Sequence, residues 1–247
     1  MAVIAVFEVL RVMGVHKKLA VSIPAYIFTA AFPVLAYFVQ PSYIAAYIIA
    51  VAAAMFVYML WLMGISVFSK GKIPYSKISE VFISVIYVLV SFTSMSLIRY
   101  INRDFGIFFV ILVFLIPWMS DTFAYLVGMV LGKHKLIPEV SPKKTVEGAI
   151  GGILFCTAAF VAFALIYNAF LRGETGEIIP WWLMAIVGLV TSIVSQIGDL
   201  AMSVIKRHYG VKDFGNIFPG HGGMLDRFDS VIAVSVFLAV ALGFTIM

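Results

Sequence analysis

The amino-acid sequence predicts an all-α, polytopic integral membrane protein. Of its 247 residues, 63% are hydrophobic and only 12% are charged, whereas soluble domains have roughly 45–50% apolar and 25% charged residues. The apolar residues form long continuous runs, and each helical crossing of a bilayer needs about 20 of them. Because these runs are too long and too continuous for barrel strands, the sequence excludes a soluble domain and favours a bundle of membrane helices.

Eight apolar segments are candidate membrane spans. They cover residues 1–14, 19–39, 43–68, 78–101, 105–131, 148–171, 181–205 and 225–247. The first is short and contains Glu8 and Arg11, so it is a poor span, and a ninth helix upstream of Met1 is an open alternative. The fifth contains Pro117. Because proline removes a helical hydrogen bond, this segment is predicted to be either one kinked helix or two shorter elements.

Basic residues indicate how these spans are oriented. Twelve Lys and Arg residues follow spans one, three, five and seven, and three follow spans two, four and six. Since Lys and Arg concentrate on the cytoplasmic side, the richer side is predicted to be cytoplasmic, with both termini outside. No soluble domain fits between the spans. We therefore expect one membrane domain, with N-terminal helices in 1–104 and the polar chemistry in 105–247.

The net charge of +5 does not indicate binding to nucleic acid, because the basic residues lie in separate loops. A membrane surface or a phosphorylated substrate is the expected anionic partner.

The single cysteine, Cys156, excludes an internal disulfide. Its position inside an apolar run indicates a packing residue.

Four aspartates lie in or beside the predicted spans, where an unpaired carboxylate costs at least about 2.5–3.5 kcal/mol. They are Asp121, Asp199, Asp226 and Asp229. Capping of the last helix could explain Asp226 or Asp229, because negative charge is favourable at a helix N-terminus. It does not explain Asp121 and Asp199, which lie deeper. Carboxylates without a His or Cys cluster suit a hard cation such as Mg²⁺ better than zinc.

Glycines and basic residues on the same predicted side could bind phosphate. Gly222 and Gly223 precede the last helix, where backbone N–H groups can approach an anion, although such a loop is often only a turn. Thr145 is expected to cap the helix that follows Lys144. The polar candidates around these two segments are Ser141, Lys143, Lys144, Lys206, Arg207, Lys212, His221 and Arg227. Ordinary positive-inside charge is the alternative interpretation of the lysines. With the carboxylates, the set is typical of phosphoryl or nucleotidyl transfer.

A run of 27 residues combines most of these candidates. It reads Ser203, Lys206-Arg207, Lys212-Asp213, Pro219, His221-Gly222-Gly223, Asp226-Arg227 and Asp229. The upstream strings SDTFAYLVGMVLGKHKLIPEVSPKKTVEGAIGG and SQIGDL belong to the same pattern. On these residues, the chain resembles the phosphatidate cytidylyltransferase (CDP-diacylglycerol synthase) family over about 120–229. Family members usually begin with one further helix, which would place the N-terminus in the cytoplasm.

The resemblance implies that CTP and phosphatidic acid react to give CDP-diacylglycerol and pyrophosphate, the first committed activation step of phospholipid synthesis. It implies a Mg²⁺-dependent reaction, with K⁺ as a second possible ion, at the cytoplasmic face of the inner membrane of a bacterium-like cell. Implied metal ligands are Asp199 and Asp226, followed by Asp229 and Asp121; implied catalytic residues are Asp199, Asp226, Lys144 and Arg227. The implied substrate-binding residues are Ser141, Lys143, Lys144, Lys206, Arg207, Lys212, His221, Gly222 and Gly223. A homodimer is left open.

Two other functions compete with this interpretation. A CTP-dependent kinase acting on a polyprenol or another lipid would use similar phosphate-binding groups but transfer the γ-phosphoryl group. An ion-coupled transporter would also hold aspartates within the membrane, but it predicts related halves, and the polar residues here lie almost wholly after residue 120. On the sequence alone, we expect Asp199→Asn and Asp226→Asn to abolish turnover with stability near that of the wild type.

Overall fold

The computed structural model describes residues 1–101, 106–170, 178–220 and 222–246. Within these ranges the chain forms eight α-helices and one small hairpin. The helices are α1 (Ala2–Val12), α2 (Leu19–Leu35), α3 (Ile44–Phe68), α4 (Tyr75–Ile101), α5 (Gly106–Leu131), α6 (Val146–Phe170), α7 (Trp181–His208) and α8 (Leu225–Ile246). Short 3₁₀ turns occupy Ala36–Phe38 and Pro41–Tyr43. Each predicted apolar segment therefore corresponds to a helix, and α5 is continuous through Pro117.

Six of the described helical segments are long and apolar enough to cross a membrane. They are Leu19–Phe38, Ile44–Phe68, Tyr75–Arg99, Phe109–Leu131, Val146–Phe170 and Trp181–His208. This composition fits the predicted all-α membrane protein. Helix α1 has only 11 residues, which at 1.5 Å per residue cover about 16 Å of a core about 30 Å thick. Helix α8 is not among the six, so the count of eight spans and the orientation stay predictions.

The segment between α5 and α6 contains a β-hairpin, which the all-α prediction did not include. Strands β1 (Lys135–Ile137) and β2 (Ser141–Thr145) are antiparallel, with Lys135 opposite Thr145. Backbone pairing across a short turn does not depend on an apolar pattern, so exposed lysines can occupy these strands. The hairpin holds the SPKKT segment directly before α6.

The chain divides into two compact units. The first comprises Met1–Phe109, Lys206–Phe228 and Ala239–Met247; the second comprises Val110–Ile205 and Asp229–Leu238. In the first unit, α2 packs against α1 and α4. Its core includes Leu10, Leu89 and Phe214, all fully buried. Tyr58 adds a buried hydrogen bond, because its hydroxyl donates to the Val21 carbonyl at 3.2 Å.

In the second unit, glycines allow α5 and α6 to pack closely. A Cβ at Gly148 would lie 2.5 Å from the Ala124 carbonyl oxygen, and one at Gly152 would lie 2.7 Å from that of Ser120. Small residues of this kind let membrane helices approach through their backbones. The approach brings the start of α6, next to Lys144, against the part of α5 that carries Asp121.

Replacing Gly148 should disrupt this packing. We expect Gly148→Val to lower the thermal unfolding midpoint in detergent, because overpacking a tight contact costs about 1–3 kcal/mol. Gly64→Ala in α3 is a suitable control, because no atom lies within 4 Å of a Cβ at Gly64. Its unfolding midpoint should not fall, since Ala in a helix is favoured over Gly by about 1 kcal/mol. Equal midpoints for Gly148→Val and the wild type would contradict the close packing.

Candidate active site

The start of α6 is fixed by two side chains that accept backbone hydrogen bonds. The Thr145 hydroxyl accepts from the Gly148 N–H at 3.1 Å, which confirms the expected N-cap. The Glu147 carboxylate accepts from the N–H groups of Lys133 and His134, and it lies 2.6 Å from His134 Nδ1. These contacts tie both ends of the hairpin to α6 and thereby fix the position of the Lys144 backbone.

Lys144 lies between two aspartates from different helices. Its Nζ is 2.6 Å from Asp199 Oδ2, on α7, and 4.0 Å from Asp121 Oδ1, on α5. The side chains of Lys144, Asp199 and Asp121 are 27%, 22% and 45% exposed, so the cluster is open on one side. The structure thus brings together three of the residues selected from the sequence. Two carboxyl groups therefore face one ammonium group.

A cavity of about 430 Å³ contains this cluster, within the usual size range of small-molecule sites of about 300–1,000 Å³. Asp121, Lys143, Lys144 and Asp199 line it, together with Gln196. Its donor set fits Mg²⁺, because carboxylate oxygens are the ligands that Mg²⁺ prefers and the ion usually keeps several waters or substrate oxygens. No group of three or more His, Cys, Asp or Glu residues suited to a metal occurs among the described residues.

Gln196 is a cavity residue that the sequence reasoning missed. Its side-chain amide donates to the Ala149 carbonyl at 3.0 Å and lies 3.5 Å from Ser120 Oγ. Ser120 Oγ is in turn 2.7 Å from Ser192 Oγ. This buried polar network connects α5, α6 and α7 immediately beside Asp121 and Asp199. A polar side chain three residues before Asp199 in an apolar helix was the available signal.

In the first unit, Asp226 and Lys206 form a buried ion pair. Lys206 Nζ lies 3.0 Å from Asp226 Oδ1, and the two side chains are 10% and 4% exposed. Asp226 Oδ2 accepts hydrogen bonds from the N–H groups of Phe214 at 2.7 Å and Gly223 at 2.9 Å. Both carboxylate oxygens of Asp226 therefore have protein partners, and the aspartate fixes the loop that precedes α8.

The N–H groups at the start of α8 also have partners. The Glu8 carboxylate, predicted from the sequence only to interrupt the first span, accepts from the N–H groups of Met224 and Leu225. Gly222 has φ +85°, which favours glycine, and its carbonyl accepts from the Phe218 N–H at 3.0 Å. Substrate binding by this glycine loop stays a prediction, as does the assignment of its N–H groups to an anion.

Most of the other candidates lie at the surface or make local contacts. Lys143, Arg207, Lys212 and Arg227 are exposed, and Ser141 is half-buried in β2. Arg207 donates to the Val211 carbonyl at 3.4 Å, and Asp229 Oδ1 accepts from the Ser230 N–H at 2.8 Å. His221 lies outside the described residues. Their roles toward substrate or metal stay predictions.

Comparison with known proteins supports the resemblance inferred from the motifs. The cytidylyltransferase family model matches residues 1–245. The phosphatidate cytidylyltransferase of Staphylococcus saprophyticus is 39% identical over 181 residues, which cover 73% of this chain and 65% of that protein. Those of Staphylococcus aureus strain COL and Staphylococcus epidermidis are 42% and 41% identical over 177 residues, with 72% of this chain and 64% of each protein covered. The matches thus span just under two thirds of these relatives. The chain belongs to the cytidylyltransferase family.

Proposed function

We propose that this protein forms CDP-diacylglycerol and pyrophosphate from CTP and phosphatidic acid. The observation that carries the proposal is the position of Lys144 between Asp121 and Asp199 in a cavity of a cytidylyltransferase family member. An ammonium group beside two carboxylates suits a phosphorylated substrate that arrives with a divalent cation. The relatives named phosphatidate cytidylyltransferase support the choice of lipid substrate.

In the proposed reaction, a phosphate oxygen of phosphatidic acid attacks the α-phosphorus of CTP. A new P–O bond forms as the bond from the α-phosphorus to the oxygen bridging to the β-phosphorus breaks, and pyrophosphate leaves with that electron pair. A phosphate monoester is largely dianionic at pH 7, so the attacking group needs no Ser–His or Cys–His pair. Catalysis then depends on alignment and on stabilisation of negative charge.

We assign Lys144 to the triphosphate of CTP. Asp199, at 2.6 Å from the ammonium group, restricts where the flexible lysine side chain can point. Lys143 lines the same cavity and would add a second positive charge. The remaining proposed phosphate ligands, retained from the family resemblance, are Ser141, Lys206, Arg207, Lys212, His221, Gly222, Gly223 and Arg227.

We assign Mg²⁺ to Asp121 and Asp199, and retain Asp226 and Asp229 as further candidate ligands and K⁺ as a candidate second ion. When bound, Mg²⁺ supplies positive charge that stabilises the triphosphate and the departing pyrophosphate. The fit rests on the two carboxyl groups of the cavity as oxygen-only donors. Asp121 and Asp199 would hold the ion, and Lys144 would share their negative charge.

We propose that the reaction occurs at the cytoplasmic face of the inner membrane of a bacterial cell. The twelve Lys and Arg residues after the odd-numbered predicted spans support this orientation. Phosphatidic acid would enter the site from the bilayer, because a lipid with two acyl chains does not readily leave it.

Lys144→Ala tests the assignment of the CTP site. We expect the KM for CTP to rise by about tenfold or more, because a charged hydrogen bond contributes roughly 1.5–3 kcal/mol, while the KM for phosphatidic acid changes less. Lys135→Ala, in the same hairpin but exposed, is the matched control. A larger rise in the KM for phosphatidic acid would move Lys144 to the lipid phosphate.

Product analysis tests the proposed reaction against the lipid-kinase alternative. Purified protein in mixed micelles is incubated with CTP labelled in the cytosine ring, Mg²⁺ and phosphatidic acid, and in a parallel reaction with a polyprenol. We expect the label to enter a CDP-lipid. Label found only in CDP, together with a newly phosphorylated polyprenol, would establish the kinase and contradict the proposal.

A further inference from the structure

Glu8 is a buried carboxylate that lies at the start of the last helix. The residue is 1% exposed. Its Oε1 accepts from the Met224 N–H at 2.9 Å, and its Oε2 accepts from the Leu225 N–H at 2.8 Å. These are N–H groups at the N-terminus of α8, which no other backbone group in the helix can satisfy. The helix dipole also favours a negative charge at this end.

The loop around Glu8 is shaped to accept its carboxylate. A Cβ at Gly223 would lie 2.5 Å from Glu8 Oε1, and a Cβ at Gly215 would also clash with that oxygen. Residues larger than glycine at these positions would therefore displace the side chain. Arg11, one turn further along α1, donates to the Phe214 carbonyl at 2.8 Å. Helix α1 thus holds the loop through two side chains.

The residues held by α1 are also those that hold Asp226. The N–H groups of Phe214 and Gly223 both donate to Asp226 Oδ2. Phe214 is bonded to Arg11 through its carbonyl, and Gly223 directly precedes the two N–H groups that Glu8 accepts from. A shift of the Glu8 carboxylate would therefore move the backbone donors that orient Asp226 and, through it, Lys206.

We propose that Glu8 is a positioning residue for nucleotidyl transfer, which acts through the loop backbone on Asp226 and Lys206. This inference rests on the proposed function, because it assigns a kinetic role to a residue of α1. Glu8 does not need to contact substrate. Its carboxylate fixes the register of the loop and the start of α8, and the Asp226–Lys206 pair follows that backbone.

Glu8→Gln tests this role by kinetics. The variant keeps the shape of the side chain but turns an amide donor toward one of the two N–H groups. We expect kcat for CDP-lipid formation to fall by at least about tenfold, because small displacements of catalytic groups can cost about 100-fold, while the KM for CTP rises by a smaller factor than kcat falls. Wild-type kcat in folded Glu8→Gln would overturn the proposal.

A destabilised control separates positioning from loss of fold. Leu89→Ala removes a fully buried side chain from α4 in the same unit, and should lower the unfolding midpoint while leaving kcat unchanged well below that midpoint. If Glu8→Gln, like Leu89→Ala, has a lower unfolding midpoint but an unchanged kcat, the proposal is overturned. If Glu8→Gln does not fold, Glu8→Asp is used instead, because the shorter Asp side chain cannot reach both N–H groups. A wild-type kcat in Glu8→Asp would also overturn the proposal.

A double-mutant cycle tests the contact without any activity measurement. Gly223→Ala should lower the unfolding midpoint in the wild-type background, because its methyl group would clash with Glu8. In a Glu8→Ala background this cost should largely disappear. An equal cost in both backgrounds would overturn the contact. If the wild type forms no CDP-lipid, the proposed function and the kinetic role both fail, while coupling in this cycle would still establish the contact.

Discussion

Asp199→Asn is expected to reduce CDP-lipid formation by at least about 100-fold, the scale of losing one preorganised electrostatic group in an active site. The substitution removes the negative charge 2.6 Å from Lys144 and one of the two carboxylates proposed to hold Mg²⁺. Lys144 would then lose its closest restraint, so alignment of the triphosphate should suffer as well. Both effects act on turnover, which is measured with purified protein at saturating CTP and phosphatidic acid.

The same variant should stay folded. The Asp199 side chain is 22% exposed and borders an open cavity, so its pairing with Lys144 contributes little to stability compared with a buried pair. Glu139→Gln makes the same chemical change at an exposed position in the hairpin turn and serves as control. Near-normal kcat in Asp199→Asn would contradict both the metal assignment and the role of Lys144.

Asp226→Asn is expected to lose both turnover and stability. The structure changes the expectation from sequence, which was stability near that of the wild type, because the Asp226 side chain is 4% exposed and bonded to Lys206, Phe214 and Gly223. Breaking a buried ion pair by removing one partner costs about 3–5 kcal/mol. The measurement is the thermal unfolding midpoint in detergent, compared with that of Asp199→Asn, and we expect a clear decrease only for Asp226→Asn.

A compensating substitution identifies the cause of that loss. Lys206→Met, added to Asp226→Asn, removes the ammonium group that has lost its carboxylate partner and should restore part of the midpoint. Turnover should not return, since the resemblance assigns both residues to the site. An unfolding midpoint at the wild-type value in Asp226→Asn alone would show that the pair does not stabilise the loop.

The helices were predictable because a long apolar run has few alternatives in a bilayer. Their ends were less so: α4 begins at Tyr75 rather than at residue 78, and α7 continues to His208 rather than ending at residue 205. Polar residues at these ends are still helical, so a change in composition marks the edge of the apolar region and not the last helical hydrogen bond. The hairpin was missed because its pairing is a matter of backbone geometry.

The site was predictable residue by residue but not as an arrangement. Asp121 and Asp199 could be selected because a carboxylate in a membrane segment is costly, yet their shared contact with Lys144 depends on the packing of α5 and α6 at Gly148. Glu8 was visible only as a charge that weakened the first predicted span. Its partners lie more than 200 residues away in the sequence, so only the folded chain reveals its role.

The most direct test of the proposed function is pyrophosphate release by the purified protein in mixed micelles. Reactions contain phosphatidic acid, CTP and Mg²⁺, each component is omitted in turn, and the folded Asp199→Asn variant is assayed in parallel. We predict release only with all three components, in equal amounts with a CDP-lipid product, and its loss in the variant. If folded wild-type protein with intact lipid releases no pyrophosphate, the proposed reaction is contradicted. If Asp199→Asn releases as much pyrophosphate as the wild type, the proposed site is contradicted.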